Sequence, residues 1–318
     1  MGMNERERAA ASEPRERSAP AEGRARERVG ESEGRSPSDQ IDIQALAVEL
    51  TDAFAQRRTL STPPSSRDGL DLPTAYAVER ELVRMRRSDG HETVGVKVGY
   101  ANKAMWRVLK LETLVWAHMY DRTVRYAGAN VATLSLAHTI SPKIEPEIVF
   151  MMKASPGAGI TEASVAGITD ALAALEAVEW LALGFEIIDC PYADWKYQPA
   201  DFVAAYGLHA ALVVGEPRPV TAESISMLAE QLPTFKVRLS KDGQIVEEGS
   251  GRNSLRSPAL CLAELASAMA KQDGAEPLAA GDLVSSGTLT ESTAIQPGAT
   301  WTASVEGIDL PALKLILV

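Results

Sequence analysis

Two glutamates separated by one proline, Glu145 and Glu147 in KIEPEIVFMM, open an otherwise apolar run. In an extended strand alternate side chains share a face, so both carboxylates point one way with Lys143 while Pro146 points the other. Two ionised carboxylates about 4 Å apart repel by roughly 4 kcal/mol at an effective dielectric near 20. Either a surface ion pair with Lys143 or a divalent cation relieves that repulsion. A third acid follows in GFEIIDCPYADW, where alternation puts Glu186 with Ile188 and Cys190 on one face and Asp189 on the other. An acid inside so apolar a strand needs a partner. That partner is either a backbone or arginine donor, or a cation shared with Glu145 and Glu147. The second arrangement offers three oxygen ligands to Mg2+ or Mn2+, with positions left for water and substrate. Zinc fits less well, because no cysteine or histidine pattern accompanies the acids. Lys97, in VGVKVGY, lies between Gly95 and Gly99 on one face of a strand. With open backbone on both sides it is either a cation beside a small ligand or a lysine that guards a sheet edge.

Strands must carry these side chains, and the texture of the chain after Gly90 supplies them. Short apolar runs separated by turn signals predict strands over TVGVKVGYA, KIEPEIVFMM, FEIIDC, HAALVVG, FKVRLSKDGQIVEEG and DLVSSGTLT. Asp242-Gly243, between two alternating runs, predicts a tight hairpin. Helical spacing of Ile43, Leu46, Leu50 and Phe54 predicts an amphipathic helix in DIQALAVELTDAFAQRR. A second is expected in LPTAYAVERELVRMRR, with Pro73 in its first turn, after the loop STPPSSRDG. Two more are expected among the strands, in TDALAALEAVEWLA and SPALCLAELASAMAKQ. The implied fold is α+β, with a helical segment at 39–92 ahead of a β-rich body at 93–318.

Composition narrows the partners. The 318 residues carry a net charge of -11, a pI near 5.0 and 45% hydrophobic residues. That is ample for a sizeable core. Without a basic cluster, neither nucleic acid nor an anionic membrane is an expected partner, since both demand a Lys/Arg face. No apolar run reaches the roughly 18 to 20 residues that a membrane span needs, and no apolar signal core opens the chain. Cys190 and Cys261 lack metal-type spacing, which fits a reducing cytoplasm. Residues 1–38 hold eight arginines and eight glutamates and almost nothing to bury, so a solvated tail is expected there.

The order of the motifs is itself informative. GVKVGYANKAM, SPKIEPEIVF, FEIIDCPYADWK with PADFVA, GSGRNSLRSPALCLAELA, LAAGDLVSSGTL and IQPGATW together resemble the hydratase and decarboxylase branch of the fumarylacetoacetate hydrolase superfamily. The resemblance spans roughly residues 41 to 318 and implies a mixed, rolled β-sheet (the fumarylacetoacetase C-terminal-like fold) behind short helices. It further implies a divalent metal, Mg2+ or Mn2+, on Glu145, Glu147 and Glu186, with Lys97 as the family's lysine. In such enzymes the metal chelates a small-molecule 2-oxo acid through carboxylate and keto oxygens, stabilising the enol form before water adds or carbon dioxide leaves. VSSGTL resembles the family's substrate-contacting turn, so Ser286 and Gly287, with Gly99, are the implied substrate contacts. Relatives form homo-oligomers.

Two segments depart from the family pattern. The PDFG-type segment is replaced within LETLVWAHMYD, where Val115 and Trp116 stand in place of an Asp and an aromatic, with His118 close by. ADNAS is replaced by AAYGLH, which puts Tyr206 and His209 at the Asp and Ser positions. Tyr206 and His209 are therefore either replacement acid-base groups or reshapers of the pocket. The first expectation is a metal-dependent, hydratase-like lyase of an unsaturated 2-oxo acid. A decarboxylase sibling needs the same metal and enol, and a non-catalytic relative that keeps only the fold is the alternative from another class.

Overall fold

The computed structural model describes residues 41–156 and 168–318. The tail expected at 1–38 lies outside the described residues. Ile41–Val318 forms one compact unit.

Helices α1 (Ile43–Ala55), α2 (Pro64–Arg67) and α3 (Leu72–Ser88) come first. Asp42 caps α1 by accepting from the Ala45 amide at 2.9 Å, and Asp71 caps α3 by accepting from the Thr74 amide at 3.0 Å. Each carboxylate satisfies an amide the helix itself leaves unpaired. The sequence then alternates: β1 (Thr93–Gly99), α4 (Lys103–Leu109), β2 (Val115–Tyr120), β3 (Val124–Tyr126), β4 (Val131–Leu134) and β5 (Pro142–Met152). Next are α5 (Ile168–Glu176), β6 (Val178–Asp189), α6 (Pro199–Ala204), β7 (His209–Val214), β8 (Arg218–Pro219) and α7 (Ile225–Gln231). The chain closes with β9 (Lys236–Lys241), β10 (Gln244–Ser250), α8 (Pro258–Lys271), β11 (Leu283–Ser285), β12 (Thr293–Ala294), β13 (Thr300–Glu306) and β14 (Leu313–Leu317).

Among the described residues these strands make two sheets. The larger runs β2-β1-β11-β5-β6-β7-β3, with β12 on β5 and β8 on β6; the smaller runs β10-β9-β13-β14-β4. Parallel and antiparallel pairings mix in both. This is the α+β, mixed-sheet architecture the sequence predicts. The early helices share one apolar core with the large sheet: Leu46, Leu50, Val78 and Leu82 pack in the same cluster as Val96, Val98, Ile148 and Phe150.

One predicted element changes type. TDALAALEAVEWLA reads as a single helix, but α5 ends at Glu176 and Val178 to Ala182 belong to the 12-residue strand β6. An apolar run buried on both faces has no distinguishing period. Pairing with β5, from Met152 opposite Val178 onward, decides it. The Asp242-Gly243 turn behaves as expected, with φ of 50° and 83° joining β9 to β10. No helix among the described residues is long and apolar enough to cross a membrane.

Candidate metal centre

Two long neighbouring strands build the site. In the β5–β6 register Glu145 lies directly opposite Glu186, and Glu147 opposite Gly184. Like charges across a strand pair repel, and here Glu147 and Glu186 are fully buried as well. One oxygen from each of Glu145, Glu147 and Glu186 lies within 4.8 Å of the others. Oxygens bound to one Mg2+, Mn2+ or Ca2+ ion sit at most about 4 to 5 Å apart, twice the metal–oxygen distance. The three carboxylates therefore fit a single hard cation, and an all-oxygen set selects for one. Oε1 of Glu147 meets no donor among the described residues. Oε2 of Glu186 has only an ion pair with Lys97 Nζ at 3.1 Å, without hydrogen-bond alignment.

The second oxygen of Glu147 and that of Glu186 are held. Glu147 Oε2 accepts from Ser285 Oγ at 2.5 Å and from the Gly287 amide at 2.9 Å. Gly287 has φ of 91°, a left-handed conformation that favours glycine, and this turn aims its N–H at the carboxylate. Glu186 Oε1 faces His209 Nδ1 at 3.0 Å. The Thr123 hydroxyl donates to the Tyr120 carbonyl at 2.8 Å and so presents its oxygen to His209 Nε2 at 2.9 Å. Both ring nitrogens of His209 are thereby engaged.

Lys97 comes from β1, two strands away from β5 across β11. It is 2% exposed, donates to the Gly207 carbonyl at 3.0 Å, and lies 4.8 Å from the Phe202 ring centroid. Gly207 sits between Tyr206 and Leu208, all three with positive φ. A Cβ on Gly207 would fall 2.8 Å from Lys97 Cδ and from Ala117 Cβ, so the lysine can reach past it only because it is glycine. Burial works against the Lys97 ammonium, but Glu186, Glu145 and Glu147 outweigh it and hold the pKa above the ordinary lysine value. Burial pushes Glu145 up to about 7 against the pull of Lys97. Glu147 is driven well above the carboxylate range by burial and then by Glu186 and Glu145. Glu186 is also buried, yet Lys97 and the hydrogen bond from His209 hold it below its usual value. Three acids too crowded to ionise together without a cation are the electrostatic signature of a divalent site.

Not every residue singled out from sequence meets this centre. Lys97, Gly99, Glu145 and Gly287 line one cavity of about 560 Å³, with Tyr100, Tyr197 and Phe202 among its walls. Glu145 is the carboxylate of the three that remains half-buried, so the open side of the site faces this cavity. His209 contacts Glu186 from behind and lines a different cavity with Tyr206. Tyr206 is turned away: its hydroxyl bonds Thr51 Oγ1 at 2.8 Å and its ring packs on Phe54 and Tyr120. The Ser286 hydroxyl donates to the Ile148 carbonyl at 2.8 Å and is fully buried, whereas its neighbour Ser285 holds Glu147. Lys143 stacks 4.0 Å from the Trp195 ring centroid, so the cation beside the acids is Lys97. Asp189 accepts from the Ile140 and Ser141 amides, a carboxylate satisfied by backbone. Val115 and Trp116 are buried, and Ala117 is the β2 residue opposite Lys97. Sequence reasoning missed Ser285, Gly207 and Thr123; of these, only the glycine in AAYGLH carries a local signal.

Rolled mixed sheets around a buried carboxylate trio and a lysine define a protein built to hold a hard cation beneath a small-molecule cavity. The chain belongs to the fumarylacetoacetate hydrolase family, whose C-terminal model matches residues 122–313. It is 30% identical to a 4-oxalocrotonate decarboxylase of Pseudomonas sp over 76% of this chain and 86% of that protein. It is 27% identical to a 2-hydroxyhexa-2,4-dienoate hydratase of Comamonas testosteroni over 87% of this chain and 98% of that one. Among solved structures, 4-oxalocrotonate decarboxylase from Pseudomonas putida G7, complexed with magnesium and adipate, superposes with a TM-score of 0.73 at 24% identity, covering 87% and 97% of the two chains.

Proposed function

We propose that the chain is a divalent-metal-dependent lyase that acts on an unsaturated 2-oxo acid, hydratase-like in its chemistry. The observation that carries this reading is the Glu145, Glu147 and Glu186 trio, with Lys97 beside it, at the base of a cavity of about 560 Å³. When bound, Mg2+ or Mn2+ would supply the positive charge that favours enol chemistry in a 2-oxo acid. Glu145, Glu147 and Glu186 hold that ion. Gly99 and Gly287 line the cavity where the acid would lie, and a Cβ on either would run into Phe202 or Ala101. Tyr100, Tyr197 and Phe202 form an aromatic wall that limits water. Lys97, on the lining of this cavity, is the group we assign to deliver a proton to the substrate carbon or take one from it. With Ala117 opposite it and Val115 and Trp116 buried, β2 supplies no carboxylate to share that task.

A second reading, decarboxylation, is favoured by Lys103 and Arg252 on the same cavity's lining. With Arg256 on the same lining, these cations suit an acid with a second carboxylate, and relatives of both names are found. Under either reading the enzyme works in the cytoplasm as a homo-oligomer, with residues 93–318 carrying the chemistry and 39–92 bracing the large sheet. A panel of unsaturated 2-oxo mono- and dicarboxylates, run with EDTA and then with Mg2+ or Mn2+, tests the proposal. Absorbance loss restored by metal supports it, and carbon dioxide release divides the two reactions. Turnover that is indifferent to EDTA and to Glu147→Gln would sink it.

A further inference from the structure

Helix α3, Trp116 and His118 of β2, and the loop after α8 line an open cavity of about 510 Å³. Trp116 and His118 flank Ala117, the partner of Lys97, so alternation turns them to the opposite face of the sheet from the lysine. No residue lines both this cavity and the one over the carboxylate trio.

Glu79 lies among the lining residues and is 2% exposed. Its Oε1 takes His118 Nδ1 at 2.7 Å and the His118 amide at 3.2 Å. Its Oε2, also buried, meets no donor among the described residues. Leaving a buried carboxylate oxygen without a donor is costly, and a ligand O–H or N–H removes the cost. Tyr76, Trp116 and Val83 give the cavity a largely apolar wall, the two rings 5.3 Å apart and tilted by 42°. Three arginines of α3 stand around it. Arg84 is paired with Glu81 at 2.6 Å and Arg87 with Glu276 at 3.0 Å. Arg80 donates to the Asp273 carbonyl at 3.1 Å and has no carboxylate partner among the described residues. An unbalanced guanidinium at the edge of an apolar cavity is a place for a carboxylate.

We infer that this cavity is a second small-molecule site, which takes a flat organic acid bearing a hydroxyl. The hydroxyl donates to Glu79 Oε2, the flat body lies against Tyr76 and Trp116, and the carboxylate meets Arg80. The volume falls in the range of about 300–1,000 Å³ usual for such sites. The inference does not rest on the proposed reaction, and its failure leaves that reading untouched.

The test titrates the full chain, held in EDTA so that the carboxylate trio cannot bind the probe through metal, with 4-hydroxybenzoate by calorimetry. Saturable single-site binding is expected. Benzoate, which lacks the hydroxyl, and phenol, which lacks the carboxylate, should each bind about tenfold more weakly or worse. Arg80→Glu, at an exposed position, and Ala275→Trp, which fills the cavity, should each abolish binding while Arg80→Lys keeps most of it. Thermal unfolding of each variant separates lost binding from lost fold. No saturable binding at millimolar probe, benzoate or phenol binding as tightly as 4-hydroxybenzoate, or binding that survives Arg80→Glu would overturn the assignment.

Discussion

Two antiparallel strand pairs in this molecule carry charged side chains across their ladders, at very different cost. In β9–β10 Arg238 sits opposite Glu248, with N–O distances of 3.1 Å to Glu248 and 3.4 Å to Glu306, all three largely in solvent. In β5–β6 the residues opposite one another are both acids, Glu145 and Glu186, and the nearest cation is brought from β1. The first pair is what water and a twisted hairpin tolerate anywhere. The second gathers like charges where desolvation and repulsion both oppose them. A fold does not assemble such a cluster for stability. The difference marks β5–β6 as the place where folding free energy is given up to a binding function.

The largest effect is expected from Glu147→Gln, which breaks the comparison at its centre. The substituted amide keeps the shape but loses the charge and returns an N–H to a cluster built to accept a cation. Mn2+ binding followed by calorimetry should be lost, and turnover on the best 2-oxo acid should fall by about 10²- to 10³-fold. Retained Mn2+ binding would mean that the trio is not the ion site.

Lys97→Met comes next. It removes the ammonium that pairs with Glu186 inside the protein, at 3% and 0% side-chain exposure. An acid left buried without its partner costs about 3–5 kcal/mol, so chemical denaturation of the metal-free chain should show a loss of that size. Added Mn2+ should restore part of the stability, because the ion replaces the missing charge. A change below 1 kcal/mol would show that the buried and exposed pairs behave alike.

His209→Asn tests the brace rather than the ion. His209 holds Glu186 Oε1 on one side and Thr123 on the other. Partners of this kind usually contribute about 10- to 100-fold to metal affinity. Mn2+ affinity should weaken within that range, whereas Tyr206→Phe, which breaks only the bond to Thr51, should leave it unchanged.

The pH dependence of metal affinity gives a smaller, graded effect. Metal binding requires the carboxylates deprotonated, and Glu145 without metal is held up to about 7. Below that value a proton must leave as the ion enters, so Mn2+ affinity should rise as pH rises through 7. The slope expected is about tenfold per unit for each proton released, and Glu147, raised well above the carboxylate range, keeps the affinity rising beyond 7. Raised acid pKa values act on the metal-free fold with the opposite sign. The folded chain binds protons that the unfolded chain has already lost, so Glu145 makes stability fall as pH rises from its ordinary value toward 7.

How much of this was legible in the sequence depends on the range of the interaction. The Asp242-Gly243 turn and the alternation that points Glu145 and Glu147 the same way are local, and local chemistry is written in adjacent letters. The β5–β6 register is not local. Nothing near Glu186 says that it will stand opposite Glu145 rather than a residue later, which would have sent it to the other face. The strand–helix boundary at Ala177 was hidden for the same reason: pairing with β5, not propensity, makes Val178 to Ala182 a strand. Tyr206 and His209 share a six-residue stretch, yet the left-handed backbone from Tyr206 to Leu208 sends one toward α1 and the other to Glu186. Ser285 ends β11 and Ser286 lies just past it, where the chain leaves the strand, so one hydroxyl meets Glu147 and the other the Ile148 carbonyl.

The smallest effect belongs to the exposed pair, and it sharpens the comparison most. Arg238 is 43% exposed at the side chain and touches two acids that are themselves 65% and 64% exposed. Water screens each contact, and holding three long side chains in one geometry costs rotamer entropy. Arg238→Ala should therefore lower stability by less than about 1 kcal/mol, and adding salt should shrink even that difference. In a unit of this size the midpoint of thermal unfolding should move by no more than about 2–4 °C. Mn2+ affinity should match the parent, since β9 and β10 belong to the small sheet and the trio to the large one. A loss of several kcal/mol here would place structural weight on a pair that solvent ought to have neutralised. The contrast with Lys97 would then no longer single out the carboxylate trio as a site kept for binding.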